Sequence, residues 1–150
     1  MQRQSLLYAE EFGYSNVFAS YVAAGMAPFV ANFNAARDAL WIAENEANQR
    51  VGAIAIVHDE RPDWAKLRWF FLEGKARGTG LGRRLMDTAL AFAKNAGYAG
   101  VLLWTVDDLV AARRLYEAAG FVLAYQDEKP CQWALWGHEQ RWEKRLQDVQ

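Results

Sequence analysis

Three glycines at alternate positions, Gly78, Gly80 and Gly82, lie in a stretch that also contains three arginines, Arg77, Arg83 and Arg84. The stretch follows an apolar segment, Leu67–Leu72, and precedes residues 81–96, whose apolar side chains recur at helical spacing. A strand that leads through a glycine turn into a helix presents unpaired N–H groups and the positive end of the helix dipole. The sequence therefore predicts a site for a phosphorylated ligand at this turn.

Two common phosphate-binding motifs do not match the turn. A P-loop requires Lys-Ser or Lys-Thr after its last glycine, and neither dipeptide follows Gly82. The dinucleotide fingerprint G-x-G-x-x-G requires glycine where the chain has Arg83, and the next predicted strand, VLLWTV, does not end in an acidic residue. The pattern that does match is R-x-x-G-x-G, from Arg77 to Gly82.

Composition limits the classes of protein. A chain of 150 residues with 53% hydrophobic content predicts one globular domain over residues 1–150. The net charge of −1 argues against a nucleic acid partner. No apolar run approaches the ~20 residues of a membrane span, and the first residues lack the apolar core of a signal peptide. The single cysteine, Cys131, fits a reducing cytoplasm, and no metal-ligand spacing predicts a metal site.

The periodicity predicts an α+β fold with a mixed, mostly antiparallel sheet. Because a helix joins the strands Leu67–Leu72 and Val101–Val106, these two should run parallel through a right-handed crossover. The other predicted elements are helices at Gln4–Phe12, from Val17 to a kink at Pro28, and at Leu109–Ala119, with strands at Asp38–Glu46, Val51–Val57, Phe121–Asp127 and Trp133–Leu146.

Two blocks of sequence carry a resemblance to a known family. FLEGKARGTGLGRRLMDTALAFAKNAGY resembles the fourth strand, pyrophosphate loop and following helix of the GNAT superfamily of acyl-CoA-dependent N-acetyltransferases. VLLWTVDDLVAARRLYEAAGF resembles its fifth strand and the helix with the pattern A-x-x-L-Y-x-x-x-G-F, here Ala112–Phe121. The second block and the later WEKRL are similar in particular to the acetyltransferase half of MarR–GNAT fusion proteins. Gly74 departs from the proline usual before the loop.

The resemblance implies a GNAT-like sheet in which the family's strands 4 and 5 splay apart, with helices on both faces. It implies acetyl-CoA as cosubstrate, no metal, and direct transfer of an acetyl group to a primary amine in a ternary complex. The pantetheine arm would pair with backbone near Phe71 and Leu72. The pyrophosphate would be held by backbone N–H groups of Arg77, Gly78, Thr79, Gly80, Leu81, Gly82 and Arg83.

The resemblance also suggests the catalytic groups. Tyr116 matches the tyrosine that in many relatives protonates the departing thiolate, a role that suits a phenol of pKa ~10; the alternative is a tyrosine that only packs. The base that deprotonates the amine could be Glu73, Glu44, Asp107 or Asp108. Each of these carboxylates could instead be a solvated charge with no catalytic role. His138 is expected in a turn, and Cys131 lacks the partners of an acyl-cysteine nucleophile.

The sequence does not identify the acceptor. Trp41, Trp69, Trp133 and Trp136 could line a pocket for an aromatic or apolar amine, with Glu44 attracting its ammonium group, or they could be core or subunit contacts. A homodimer through the C-terminal strands is expected where Trp133, Trp136 and Trp142 cluster. The alternative to an enzyme is a catalytically silent CoA-binding sensor or interaction module of the same fold.

Overall fold

A computed structural model describes residues 26–106, 110–130 and 138–146 of the chain. The strands are β1 Ala39–Glu44, β2 Arg50–His58, β3 Trp64–Leu72, β4 Gly100–Val106, β5 Val122–Pro130 and β6 His138–Arg145. The helices are α1 Leu81–Asn95 and α2 Val110–Ala118, with a 3-10 turn at Gly74–Ala76 and a helical segment at 26–31 that contains Pro28. The predicted helices before residue 26 lie outside the described residues.

The six strands form one mixed sheet in the order β1-β2-β3-β4-β6-β5. Within the described ranges, β3 and β4 are the parallel pair and every other neighbouring pair is antiparallel. The α+β fold with a parallel βαβ core is therefore confirmed, because α1 supplies the crossover between β3 and β4. Of the predicted closing strand Trp133–Leu146, the structure describes the part from His138 onward.

The core lies between α1 and one face of the sheet. α1 buries one stripe, Leu85, Met86, Ala89 and Ala93, against strand residues Ile54, Ile56, Val101 and Leu103. This stripe follows the i, i+3, i+4 spacing of a helix that covers a sheet. Trp142 of β6 packs in the same cluster and is only 5% exposed. Of the three tryptophans at the expected dimer contact, Trp142 therefore lies in the core, and the homodimer stays a prediction.

β3 and β4 separate soon after they begin. Their pairing is limited to Trp64–Lys66 against Gly100–Leu102. Beyond it the register of β3 on β2 shifts, since Ala55 pairs with Arg68 whereas Ala53 pairs with Phe71. Two residues of β3 therefore oppose Ile54 in a β-bulge, and Trp69 within it has a φ of 52°. Bulges bend a strand and increase its twist, which turns the end of β3 away from β4.

Candidate functional site

The glycines of the loop serve the backbone conformation before α1. Gly78 and Gly80 have φ values of 80° and 82°, in the left-handed region that favours glycine. A Cβ atom added at either position would meet no atom within 4 Å. The loop therefore leaves open space beside its backbone, which is what the close approach of an anion requires.

The first turn of α1 presents unsatisfied N–H groups to this space. Its first intrahelical hydrogen bond runs from the Arg84 N–H to the Gly80 carbonyl at 3.1 Å. The N–H groups of the three residues between them have no earlier helical carbonyl to bind, and Gly80 supplies no side-chain cap. The first turn carries no acidic residue, whereas Arg83 and Arg84 are exposed on it. The N-terminus of α1 therefore fits a pyrophosphate group.

Two side chains fix the loop from within. The Thr79 hydroxyl donates a hydrogen bond to the Ala76 carbonyl, which closes the turn. The Arg77 guanidinium reaches the Leu72 carbonyl at 3.5 Å, so it links the loop to the end of β3. These contacts hold the loop against the end of β3, the strand that separates from β4.

Gly82 sets the distance between α1 and its neighbours. A Cβ atom at Gly82 would lie 2.9 Å from a methyl group of Leu72 and 3.4 Å from one of Leu115. The glycine thus lets the start of α1 approach both β3 and α2. The loop, the end of β3 and α2 consequently meet at the mouth of the gap.

The end of β3 offers backbone groups to the gap. The Glu73 N–H donates to the Val51 carbonyl at 2.8 Å, and Phe71 is opposite Ala53. Because hydrogen-bonded and non-hydrogen-bonded pairs alternate between antiparallel strands, Leu72 directs its N–H and carbonyl away from β2 and toward β4. Of the two residues predicted to pair with a pantetheine arm, Leu72 therefore has the suitable orientation and Phe71 belongs to a β2-bonded pair.

The two predicted catalytic residues both lie beside the later part of β3. Tyr116 is 7% exposed, and its ring centroid lies 6.4 Å from that of Phe70 on β3 and 6.1 Å from that of Phe121. Glu73 follows the last residue of β3 and is 8% exposed. The structure thus brings both of them to the end of β3 that carries the glycine loop.

Other candidates lie elsewhere. Glu44 is exposed at the end of β1, two strands away from β3. His138 is the first residue of β6, opposite Pro130, so its predicted place in a turn is wrong. Asp107, Asp108, Cys131, Trp133 and Trp136 lie outside the described residues. No group of three or more possible metal ligands occurs among the described residues.

The two described tryptophans of the predicted acceptor pocket have packing partners. The Trp41 ring lies edge-on to Phe92 of α1, with centroids 5.4 Å apart. Trp69 is 6% exposed, and its ring centroid is 5.1 Å from that of Phe29 in the helical segment at 26–31. Both therefore contribute to packing on either side of the sheet's first strands.

Sequence reasoning missed one carboxyl group, Glu139 of β6. It is opposite Val106, the last residue of β4. Burial raises the pKa of Glu139, and the neighbouring Asp127 carboxylate raises it further. Its strand had been predicted from the alternation of side chains, but the pairing of β6 with β4, which brings Glu139 beside the site, was not expected from the sequence.

Comparison with known proteins agrees with the resemblance to the GNAT superfamily. A model of the acetyltransferase (GNAT) family matches residues 6–121. An uncharacterized N-acetyltransferase of Schizosaccharomyces pombe is 25% identical over 114 residues, which are 76% of this chain and 69% of that protein. Human N-acetyltransferase 8B is 33% identical over 85 residues, 54% of this chain. The chain spans 37% of the length of this human relative.

Solved structures share the fold. An acetyltransferase of the GNAT family from Staphylococcus aureus superposes with a TM-score of 0.64 at 21% identity, over 80% of this chain and 78% of that one. A Bacillus anthracis protein, assigned as a streptothricin acetyltransferase and solved in complex with acetyl coenzyme A, gives a TM-score of 0.62 at 24% identity. This match covers 74% of this chain and 64% of the other.

Proposed function

Because the chain belongs to the acetyltransferase (GNAT) family, we propose that it transfers an acetyl group from acetyl-CoA directly to a primary amine in a ternary complex. The observation that carries the proposal is the gap between β3 and β4, which lies beside a glycine loop and a helix start with unsatisfied N–H groups. Two structural neighbours, from Bacillus anthracis and Salmonella typhimurium, were solved with acetyl-CoA.

Residues of the loop and of α1 would hold the pyrophosphate of acetyl-CoA. The N–H groups of Leu81, Gly82 and Arg83 supply the donors, and the guanidinium groups of Arg77 and Arg83 add positive charge. Gly78 and Gly80 keep the space beside these donors free of side chains. The backbone of Leu72 would pair with the pantetheine arm inside the gap.

Tyr116 would act as the general acid. Its ring packs against those of Phe70 on β3 and of Phe121, with centroids 6.4 Å and 6.1 Å away, which restricts the orientation of the phenol. A phenol keeps its proton at neutral pH and can pass it to a thiolate as the thioester carbon–sulfur bond breaks. Acetyl-CoA supplies the activated acyl group, and the protein supplies position and proton transfer.

The names of similar proteins do not identify the acceptor. They include a rat N-acetylaspartate synthetase and a nourseothricin acetyltransferase, which name chemically different acceptors. No helix in the described part of the chain is long and apolar enough to cross a membrane. We propose a small-molecule amine acceptor and a cytoplasmic enzyme. A homodimer and the finer likeness to MarR–GNAT fusion proteins stay predictions.

The proposal is tested by thermal unfolding and by thiol release. Acetyl-CoA far above its Kd should raise the Tm, since a ligand that binds only the folded state stabilises it. A panel of primary amines should then release free CoA thiol from acetyl-CoA. Binding without release for every amine would support the silent CoA-binding module instead. No rise in Tm with acetyl-CoA or CoA would contradict both.

A further inference from the structure

The gap between β3 and β4 opens toward two faces of the sheet with different side chains. Residues directly opposite each other on antiparallel strands share a face. Leu103 and Trp142 form such a pair on the face that α1 covers. Trp104 pairs with Arg141, and Val106 pairs with Glu139, so these four lie on the opposite face. The predicted general acid, Tyr116, packs in the core cluster on the α1 face.

An aromatic–acidic patch, formed by Trp104, Tyr125, Glu139 and Arg141, occupies that opposite face at the end of β4. The Trp104 and Tyr125 rings are 37% and 47% exposed, with centroids 6.1 Å apart. The Arg141 guanidinium lies 5.6 Å from each ring centroid and 3.3 Å from a carboxylate oxygen of Glu143. The Trp104 and Tyr125 rings therefore meet edge to face, at an interplanar angle of 72°, and part of each residue stays exposed.

Glu139 has an unusual backbone setting within this patch. β5 and β6 pair at Gln126 with Gln140 and again at Pro130 with His138. Three residues of β5 therefore stand opposite the single residue Glu139, as in a large β-bulge. Bulges beside active sites often redirect a side chain. Only β4, a width of ~5 Å, separates the backbone of Glu139 from the gap.

We propose that Glu139 takes the proton from the acceptor's ammonium group, and that this acceptor is an aromatic primary amine whose ring lies against Trp104 and Tyr125. The inference rests on the proposed function and identifies its base and substrate class. An aromatic ring of the acceptor suits the exposed rings of Trp104 and Tyr125, while the ammonium group of the acceptor suits the carboxylate of Glu139. The amine would approach the thioester from the face opposite Tyr116, so nucleophile and leaving group occupy different sides.

The proton transfers balance. Glu139 accepts one proton from the ammonium group, and the free amine nitrogen then forms the bond to the thioester carbon. When the carbon–sulfur bond breaks, Tyr116 gives its proton to the departing sulfur. The nitrogen loses its second proton as the amide forms, Tyr116 is reprotonated, and one proton in total passes to solvent. No oxidant, reductant or metal takes part.

The charges around Glu139 favour this role. A carboxyl group whose pKa is raised binds a proton more readily than an ordinary carboxylate, which favours its use as a general base. Burial and Asp127 of β5 raise the pKa of Glu139. Arg141 lies two positions away on the same strand, Lys129 belongs to the bulge of β5 opposite Glu139, and Val106 and Trp104 of β4 carry no titratable group. Asp107 and Asp108 lie outside the described residues.

The kinetic experiment compares three single substitutions with phenylethylamine as acceptor. Glu139→Gln should lower kcat/KM by about 100-fold or more, the range of a general base, and remove the fall in kcat at acidic pH. Glu73→Gln, at the other strand end beside the gap, should keep that acidic limb. Glu128→Gln is the matched control, since it removes an exposed carboxylate from β5 beside Asp127 and should leave kcat/KM within twofold.

The role of the patch is tested by the ratio of the kcat/KM values for two acceptors. The wild type should prefer phenylethylamine over propylamine, which lacks the ring, and Trp104→Ala should reduce that preference at least fivefold. A readout without turnover is the 13C NMR titration of Glu139, assigned by its absence in Glu139→Gln. Its midpoint should lie above 4.5 and fall in Asp127→Asn, because that change removes the repelling charge.

The outcomes separate this inference from the proposed function. An acidic limb that Glu139→Gln retains, or that Glu73→Gln removes, would overturn the role of Glu139 while leaving the acetyltransferase intact. Equal use of propylamine and phenylethylamine would overturn the aromatic acceptor. A wild type that binds acetyl-CoA but transfers to no amine would overturn both proposals. In all variants, an unchanged rise of Tm with acetyl-CoA shows that the CoA site is preserved.

Discussion

Gly80→Ala separates the two tasks of the glycine loop, its conformation and its contact with a ligand. Gly80 has a φ of 82°, where an L-residue costs roughly 1–2 kcal/mol. Because an added Cβ meets nothing within 4 Å, no packing cost adds to this backbone term. The Tm of the unliganded protein should therefore fall by only about 2–8 °C, at 2–4 °C for each kcal/mol.

The effect on acetyl-CoA should be larger than this stability loss. The space beside Gly80 is where the proposed pyrophosphate lies, so a methyl group there hinders contact with the N–H groups of α1. At a ligand concentration of about 100 Kd, the wild type gains ~2.7 kcal/mol from binding. Gly80→Ala should lose most of that gain, which thermal unfolding with and without acetyl-CoA measures.

Gly97→Ala is the matched control at the other end of the same helix. Gly97 has a φ of 88°, and its added Cβ would also meet nothing within 4 Å. Both substitutions should therefore cost similar stability, but Gly97→Ala should keep the full rise of Tm with acetyl-CoA. If the two variants lose the acetyl-CoA effect equally, or if Gly80→Ala keeps it, the assignment of the loop as the pyrophosphate site is wrong.

Three further predictions concern the acid, the core and the alkaline limit. Tyr116→Phe should lower kcat at least tenfold and leave the rise of Tm with acetyl-CoA unchanged, since only the hydroxyl is lost; an unchanged kcat would favour a packing role. Gly100→Ala should destabilise the protein by about 1–3 kcal/mol in urea unfolding, because the added Cβ would lie 2.5 Å from the Trp64 ring, and Trp64→Leu in the same chain should recover part of the loss. Burial raises the pKa of Tyr98 above 10.0, so the stability from its neutral form is complete below pH 10 and is lost as pH rises through the folded-state pKa. Tyr98→Phe should therefore lose less stability than the wild type as pH rises above 10.

The sequence allowed the fold and the loop to be predicted because both depend on local signals. Residues 81–96 show helical spacing, and the glycines before them mark a turn, so α1 and its N-terminus followed directly. The parallel pairing of β3 and β4 followed from the helix that connects them. Their separation was implied only by the family resemblance, since the bulge at Trp69 has no turn residue that marks it.

The acceptor side was harder because it depends on contacts between distant residues. Glu139 and Val106 are 33 positions apart and meet only through the pairing of β6 with β4. Trp142 was expected at a subunit contact because tryptophans cluster in that part of the sequence. Its burial depends on its strand lying inside the sheet, between β4 and β5, which one chain's periodicity does not specify.

The strand order itself explains why the site has two chemically different sides. β6 enters the sheet between β4 and β5 and runs antiparallel to β4, so its first residues lie beside the end of β4 that borders the gap. The α1 face receives the loop, the helix N-terminus and Tyr116, all of which suit an anionic thioester donor. The other face receives alternate side chains of β6, including Glu139, which in the proposed reaction suits a cationic amine. Donor and acceptor can therefore be recognised by opposite charges and still meet at the gap, because the bulge at Trp69 keeps the two strands apart.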